Sequence, residues 1–266
     1  MTFNLLISCM HQKDTSIIQR SNVQSDVVVV NQCDRDCVEE FDFINKNGKT
    51  CHVKFICTTE RGLSRSRNMA IRNAWGDICQ ICDDDEEIAD DAEEVILKAY
   101  EENPEAGLIA FSLIRKDCNK TYPERKSNLG FKQILRTSSH QITFSRRMLE
   151  KYGFRFDEKM GSGTGNGGGE ENKFMLDWRK AGAEMLYCPD VIATVNPGES
   201  QWFRGYDARY FQNFGWTERR LLGNFLGLLY LSYWPIFRRK QYKNNCSLSI
   251  WQVLKYCFQG YFSNRE

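Results

Sequence analysis

Five apolar runs of strand length mark the first 115 residues of the chain. They read LLISC (5–9), VVVV (27–30), VKFIC (53–57), DICQIC (77–82) and GLIAFSLI (107–114). Segments with helical or loop-like patterns separate them, and nearly continuous apolar runs of this length are typical of strands buried on both faces. The alternation predicts an α/β fold with a mostly parallel central sheet.

Two helices are predicted beside the fourth run. The segment LSRSRNMAIRNAW (63–75) has apolar residues near helical spacing, with a serine as the expected N-cap and Gly76 after its end. A second helix follows Ile88, and acids in its first turn favour the positive end of the helix dipole. Dipole stabilisation therefore explains the acids at 90–94.

The acids directly behind the fourth run need a different explanation. Asp83, Asp84, Asp85 and Glu86 follow the strand at its carboxyl end, where open α/β sheets place their ligand crevice. Mg²⁺ and Mn²⁺ bind through one or two carboxylates and complete their coordination with water and phosphate oxygens. The cluster predicts a divalent metal site, and the alternative is a solvated turn that merely ends the strand.

Two further groups extend this candidate site. Arg65 and Arg67 precede the acidic strand, and the planar guanidinium group suits phosphate. The glycine-rich segment 161–169 is expected to pass close to a ligand or to move over one. Behind it, Glu170 and Glu171 begin a predicted helix, where a carboxylate could act as a general base. Together these groups indicate transfer from a diphosphate donor.

Charge and cysteine usage exclude other classes of protein. The chain has 36 basic and 35 acidic residues, so its net charge of +1 argues against a nucleic-acid partner. No signal peptide pattern follows Met1, and the 11 scattered cysteines are expected to be reduced thiols of a cytoplasmic protein. Cys79 and Cys82 fit C-x-x-C, but on a strand they point to opposite faces, so packing is predicted rather than metal binding.

Two segments resemble one enzyme family. GLSRSRNMAIRNAWGDICQICDDDEEI (62–88) resembles the central segment of family 2 glycosyltransferases, in which a Gly-Leu-Ser-x-x-Arg-Asn helix precedes a strand that ends in an Asp-rich metal motif. FDEKMGSGTGNGGGEENKF (156–174) is similar to their second motif, usually Phe-Asp-Glu, a glycine-rich stretch and then Gly-Glu-Asp. The matches lie in the family's order and span most of residues 1–200.

The resemblance implies a GT-A fold, inversion at the anomeric carbon and a nucleotide-diphosphate sugar donor, with a UDP-sugar expected. It also implies Mn²⁺ or Mg²⁺ as cofactor, with Asp85 as the direct ligand and Asp83 beside it. Asp83, Asp84, Arg65 and Arg67 would contact the donor.

The base implied by the resemblance is Glu171, which aligns with the Asp of Gly-Glu-Asp, and Glu170 would support it. The chain departs from the family elsewhere. ISCMHQ replaces the usual Pro-x-Tyr-Asn-like turn, and either Asp34 or Asp36 could supply the acid after the second strand. Because no histidine follows residue 140, the third metal ligand of some relatives is absent.

The C-terminal part changes character. Residues 1–200 are expected to form the catalytic domain, with a nucleotide-sugar half (about 1–115) and an acceptor half (about 116–200), and 201–266 a helical extension. LLGNFLGLLYLSYWPIF (221–237) carries no charge and precedes RRKQYK. Seventeen residues are at the short edge of a membrane span. The segment is expected to lie in the membrane interface, and the alternative is a helix buried against the catalytic domain.

The predicted function is metal-dependent transfer of a sugar to a saccharide or lipid-linked acceptor during assembly of a surface polysaccharide, at the inner face of the cell membrane. A nucleotidyltransferase and a non-catalytic sugar-binding relative are the alternatives. Release of nucleoside diphosphate from nucleotide sugars distinguishes the three.

Overall fold

The computed structural model of the 266-residue chain describes residues 1–116, 120–196 and 205–265. Its strands are β1 (Phe3–Met10), β2 (Val27–Gln32), β3 (Cys37–Ile44), β4 (Thr50–Thr58), β5 (Ile78–Asp83), β6 (Glu86–Ile88), β7 (Ala106–Arg115), β8 (Ser127–Asn128), β9 (Ile142–Ser145) and β10 (Glu184–Val195). Its α-helices are α1 (Ile17–Arg20), α2 (Leu63–Asn73), α3 (Ala92–Glu101), α4 (Phe131–Ile134), α5 (Arg146–Tyr152), α6 (Glu170–Lys180), α7 (Ala208–Phe237) and α8 (Ile250–Tyr261).

All ten strands form one sheet. Its order is β3-β4-β2-β1-β5-β9-β7-β10-β6, and β8 pairs with β10. The four neighbours β4, β2, β1 and β5 are parallel, as are β7 and β10. The other pairings are antiparallel, and β9 joins the two parallel parts by pairing with both β5 and β7. The α/β fold is confirmed, with parallel order concentrated in the N-terminal half.

The strands separate two hydrophobic cores. Because side chains alternate across a strand, Leu5 and Ile7 face one core and Leu6 the other. Cys82 lies in the first core and Cys79 in the second, which confirms that the C-x-x-C pair packs on opposite faces. All ten cysteines of the described residues are free thiols, and Cys118 lies outside those residues.

The helices that carry the candidate site residues differ little from prediction. Helix α2 begins at Leu63 with Gly62 as N-cap, so the serine cap was wrong, because the Ser64 hydroxyl instead donates to the carbonyl of Met160 at 2.8 Å. Helix α6 begins at Glu170, directly after the glycine-rich segment, and Gly169 has a φ of 89°. The end of β5 and the starts of α2 and α6 thus meet at the carboxyl edge of the sheet.

Helices α7 and α8 form the C-terminal part. They pack so closely that a Cβ on Gly215 would lie 1.9 Å from the carbonyl oxygen of Cys257. Helix α7 is broken at Gly223, which has φ 76° and ψ −175°. Within the described ranges, no helix has the length and apolarity that crossing a bilayer requires. The predicted domain boundary near residue 200 falls in the undescribed segment 197–204 and stays a prediction.

Candidate active site

A buried arginine connects three parts of the sequence. The guanidinium of Arg67, 1% exposed, donates to both carboxylate oxygens of Asp83 at 3.0 and 2.9 Å, and to Oε1 of Glu170 at 2.9 Å. A buried cation is tolerated only when it is paired and hydrogen-bonded. The sequence therefore places one positive charge where α2, the end of β5 and the start of α6 meet.

Neighbouring charges shift the pKa of Asp83. Burial, the largest single influence, would raise that pKa, but Arg67, His140 and the hydrogen bond from Ser139 together hold it below the usual value. Burial would also lower the pKa of Arg67, whereas Asp83 and Glu170 raise it above its ordinary value. Arg67 and Asp83 therefore stay ionised together. The expected contact of Arg67 with a donor is not tested by this geometry and stays a prediction.

The two glutamates at the start of α6 have different environments. Glu170 is buried and bonded to Arg67. Glu171 is half-buried, and its carboxylate has no hydrogen bond or ion pair to another of the described residues. Burial raises the pKa of Glu171 to about 8, and the charge of Glu170 adds to the effect. Glu171 is thus the glutamate with a carboxylate free to take a proton.

His140 lies beside the acidic strand end. Asp83, Glu86 and His140 each offer one ligand atom, and these atoms lie within 4.8 Å of one another. His140 Nδ1 contacts Glu86 Oε1, while the buried Oε2 of Glu86 has no hydrogen-bond partner. Burial would lower the pKa of His140, but Glu86 and then Asp83 raise it to about 9. The carboxylates and the imidazole together fit a divalent metal such as Mn²⁺.

This histidine was missed by sequence reasoning. The resemblance implies a histidine ligand only after residue 140, whereas His140 itself, in the 3₁₀ turn Ser139–Gln141, reaches the acidic cluster. It lies 54 residues from Glu86, and no motif spacing relates the two. The signal available was a lone histidine between β7 and β9, two strands that neighbour each other in the sheet.

The remaining acids of the cluster face solvent. Asp84 and Asp85 occupy the turn between β5 and β6 and are exposed. Burial and the neighbouring acid Asp83 both raise the pKa of Asp84. The carboxylate of Asp85 has no hydrogen bond to another residue in the part of the chain that the structure describes, so its oxygens are available to a cation. Arg65 is half exposed and lies 3.7 Å from Glu158.

A cavity of about 290 Å³ lies where β1 and β2 end. His11, Gln12, Cys33, Asp34 and Arg35 line it. His11 has a φ of 53°, an uncommon conformation for a residue other than glycine. The cavity therefore coincides with the strand ends at which the sequence departs from the family turn.

The two acids left open after the second strand are distinguished here. Asp34 lines the cavity and accepts a hydrogen bond from Arg61 at 2.6 Å. Asp36 accepts from the backbone amide of Thr59 at 2.7 Å, and this bond lowers the pKa of Asp36. Asp34 is therefore the acid placed to meet a ligand.

Comparisons with known proteins agree with this architecture. The sequence model described as "Glycosyl transferase family 2" matches residues 15–159, more than half of the chain. Residues 1–349 of S. aureus TarS, in complex with UDP-GlcNAc, superpose with a TM-score of 0.65 at 12% identity, covering 98% of this chain and 82% of the TarS chain. No curated protein matches the sequence.

A second solved structure shows the same fold. The mannosyltransferase PcManGT from Pyrobaculum calidifontis, in complex with GDP-Man and Mn²⁺, has a TM-score of 0.53 at 16% identity, covering 96% of this chain and 73% of that one. These matches confirm the predicted GT-A fold.

Proposed function

Because the chain belongs to glycosyl transferase family 2, we propose that it is an inverting enzyme that moves one sugar from a nucleotide-diphosphate donor to a saccharide acceptor. The observation that carries the proposal is the Arg67 bridge, which holds the strand-end acid and the candidate base helix together at the carboxyl edge of the sheet. Transfer from a diphosphate donor needs both groups at one place.

The proposed base is Glu171. As the acceptor hydroxyl attacks the anomeric carbon, the Glu171 carboxylate takes its proton, and general bases work best when their pKa lies near the operating pH. Glu170 cannot easily serve, since its carboxylate is bonded to Arg67. Glu170 is therefore assigned the positioning of the start of α6.

The donor is assigned to the acidic turn and the cavity beside β1. Asp83 and Asp85 would hold Mn²⁺ or Mg²⁺, with His140 and Glu86 close enough to contribute. Such an ion, when bound, stabilises the negative charge of the departing diphosphate. Asp34, Asp84 and Arg65 lie around the same edge, where they could orient the nucleoside and phosphates. A UDP-sugar is the proposed donor, as in the TarS complex with UDP-GlcNAc.

The test of this function is release of nucleoside diphosphate. The full chain is incubated with UDP-, GDP- and TDP-sugars in the presence of Mn²⁺, with and without saccharide acceptors. Faster release of one nucleoside diphosphate is expected when a suitable acceptor is present. Binding of a nucleotide sugar without any release would instead indicate a non-catalytic relative, and release of pyrophosphate from a nucleoside triphosphate would indicate a nucleotidyltransferase.

Asp85 is expected to control the metal requirement. Asp85→Asn is nearly isosteric but removes the ligand charge, so the Mn²⁺ concentration for half-maximal release should rise by about tenfold or more. Glu87→Gln is the matched control, because Glu87 is an exposed acid two residues away on β6. An unchanged Mn²⁺ requirement in Asp85→Asn would contradict the assignment of the ligand.

Contact with a membrane is proposed for the second half of α7. Its exposed apolar side chains include Phe225 (73% exposed), Leu226, Leu229 and Phe237 (68%). Exposed apolar patches of this kind mark interaction surfaces. The exposed basic residues that follow are Arg238, Arg239, Lys240 and Lys243. This pairing fits an anionic bilayer, with aromatic side chains at headgroup depth and cations toward the lipid phosphates.

Membrane contact would place the active site beside a lipid-linked acceptor, and flotation with vesicles containing phosphatidylglycerol tests it. Burial of one phenylalanine is worth about 1.5–3 kcal/mol, so Phe225→Asn should weaken vesicle binding by about tenfold or more. Ile44→Asn is the control, because Ile44 is equally exposed, at 73%, but lies on β3. If the unmodified chain stays with the soluble fraction at low salt, the proposal fails. A concentration-dependent dimer that Phe225→Asn dissociates would assign this surface to a second copy instead.

A further inference from the structure

A cavity of about 530 Å³ lies between the glycine-rich segment 161–169 and the first half of α7. The glycine segment contacts α7 directly on one side of it: a Cβ on Gly167 would lie 2.0 Å from Oγ1 of Thr217. The hydroxyl of Thr217 donates to the carbonyl of Gly168 at 3.3 Å. The cavity therefore has a defined wall, and its volume lies within the range of small-molecule sites.

One acid in this cavity lacks a partner. Glu218 on α7 lines it and is half-buried, yet its carboxylate has no hydrogen bond or ion pair within the described ranges. Burial raises the pKa of Glu218 to about 7. An unpaired carboxyl group withdrawn from water is costly, and nothing in the described fold compensates for it. A ligand with hydroxyl groups would supply the missing hydrogen bonds.

The rest of the lining includes aromatic and uncharged polar groups, together with the charged residues Asp207 and Arg209. The rings of Tyr210 and Phe214 are nearly parallel, at 6°, with centroids 6.5 Å apart. Asn166 and Asn213 also line the cavity, and each amide keeps hydrogen-bonding capacity beyond its bonds within the chain. Apolar ring surface beside amides and a carboxyl group suits a saccharide, which presents C–H faces and a rim of hydroxyls.

The cavity also adjoins the start of α6, although Glu171 itself does not line it. Gly168, Gly169 and Asn172 form part of its wall, and they flank Glu171 in the sequence at the start of α6. A saccharide in the cavity would thus lie next to the helix end that presents Glu171.

We propose that this cavity binds the acceptor saccharide, with Glu218 accepting hydrogen bonds from its hydroxyl groups and the aromatic pair contacting its apolar face. That the bound saccharide is the acceptor rests on the proposed function. The cavity adds where the acceptor binds and which groups recognise it. Glu218 is a binding residue in this scheme, and Glu171 remains the base.

Saturation-transfer NMR on the full chain tests the proposal, with methyl glycosides of glucose, galactose, mannose and N-acetylglucosamine as probes. At least one glycoside is expected to bind. Glu218→Leu should weaken that binding by about tenfold or more, as for loss of a hydrogen bond to a charged group, and Glu218→Gln by less. Glu105→Leu is the matched control, because Glu105 is an exposed acid in the turn between α3 and β7.

Thermal melting and UDP binding separate a binding role from a structural one. Glu218→Leu removes an unpaired buried carboxyl group, so its melting temperature and UDP affinity should not fall. The proposal is overturned if no glycoside binds the unmodified chain, or if Glu218→Leu binds it equally well. UDP binding without glycoside binding would leave the transferase function standing. Glycoside binding that depends on Glu218, without release of nucleoside diphosphate from any nucleotide sugar, would support the cavity and contradict the transferase.

Discussion

Glu171→Gln is expected to lower the rate of nucleoside diphosphate release by about 10²–10⁴-fold, the usual contribution of a positioned general base. Glutamine has nearly the same shape but cannot take the proton of the acceptor hydroxyl. Donor binding should be retained, because Glu171 has no bond to Arg67 or to the acidic turn in the described residues. Single-turnover kinetics with the donor prebound measure the chemical step directly.

The neighbouring glutamate provides the control. Glu170→Gln weakens the bond to Arg67, so it should lower the melting temperature while folded protein keeps most of its activity. If folded Glu170→Gln is inactive and Glu171→Gln is active, the base has been assigned one residue too late.

The pH profile follows from the same assignment. A general base acts when it is deprotonated, and the pKa of Glu171 is raised to about 8 by burial and by Glu170. The release rate should therefore rise with pH and level off above about 8, whereas the residual rate of Glu171→Gln should lack this rise. A rate in the unmodified enzyme that is constant between pH 6 and 9 would contradict the role of Glu171.

Arg67→Met is expected to lower the free energy of unfolding by about 3–5 kcal/mol at pH 7. The loss comes from Asp83 and Glu170, which would keep their buried positions without the cation that pairs them. Arg65→Met is the matched control on the same helix. The exposed ion pair of Arg65 with Glu158 is 3.7 Å long and contributes little, so the free energy of unfolding should change by no more than about 0.5 kcal/mol. Urea unfolding monitored by circular dichroism measures both variants.

The loss should depend on pH with a definite sign. In the unmodified chain the pKa of Asp83 is lowered, so its contribution to stability is present above the ordinary carboxyl pKa and is lost as the pH falls through the lowered native value. Without Arg67, only His140 and Ser139 remain to oppose the effect of burial, so the pKa of Asp83 should rise and the deficit of Arg67→Met should shrink from pH 7 to pH 5. A deficit that does not change with pH would mean that lost packing, not unpaired charge, destabilises the variant.

The parts of the fold that could be predicted are those with a local pattern. The apolar runs located β1, β2, β4, β5 and β7, because strands buried on both faces are predominantly apolar. Strand β3 was missed, since it is an edge strand whose exposed residues include acids and its pairing with β4 is antiparallel. Edge strands are specified by their neighbour as much as by their own residues.

The candidate site was predicted as residue types rather than as contacts. The sequence predicted that the acidic strand end, the arginines of α2 and the glutamates of α6 form one site. The burial of Arg67 could not be predicted, because it depends on how α2 packs against the sheet. The different environments of Glu170 and Glu171 have the same origin, because adjacent residues at a helix start point in different directions. His140 reaches Glu86 through the sheet order, in which β9 lies beside β5.

The break at Gly223 lets the second half of α7 fold back against the first, so that the ring of Phe214 packs against those of Tyr230 and Trp234, with centroids 6.1 and 4.6 Å apart. The φ of 76° and ψ of −175° at Gly223 belong to a region that essentially only glycine occupies, while no atom lies within 4 Å of where a Cβ would stand. A larger residue would fit the space but would strain the backbone toward another angle. One residue that lines neither the cavity nor the exposed apolar surface thus determines how the two halves of α7 pack together.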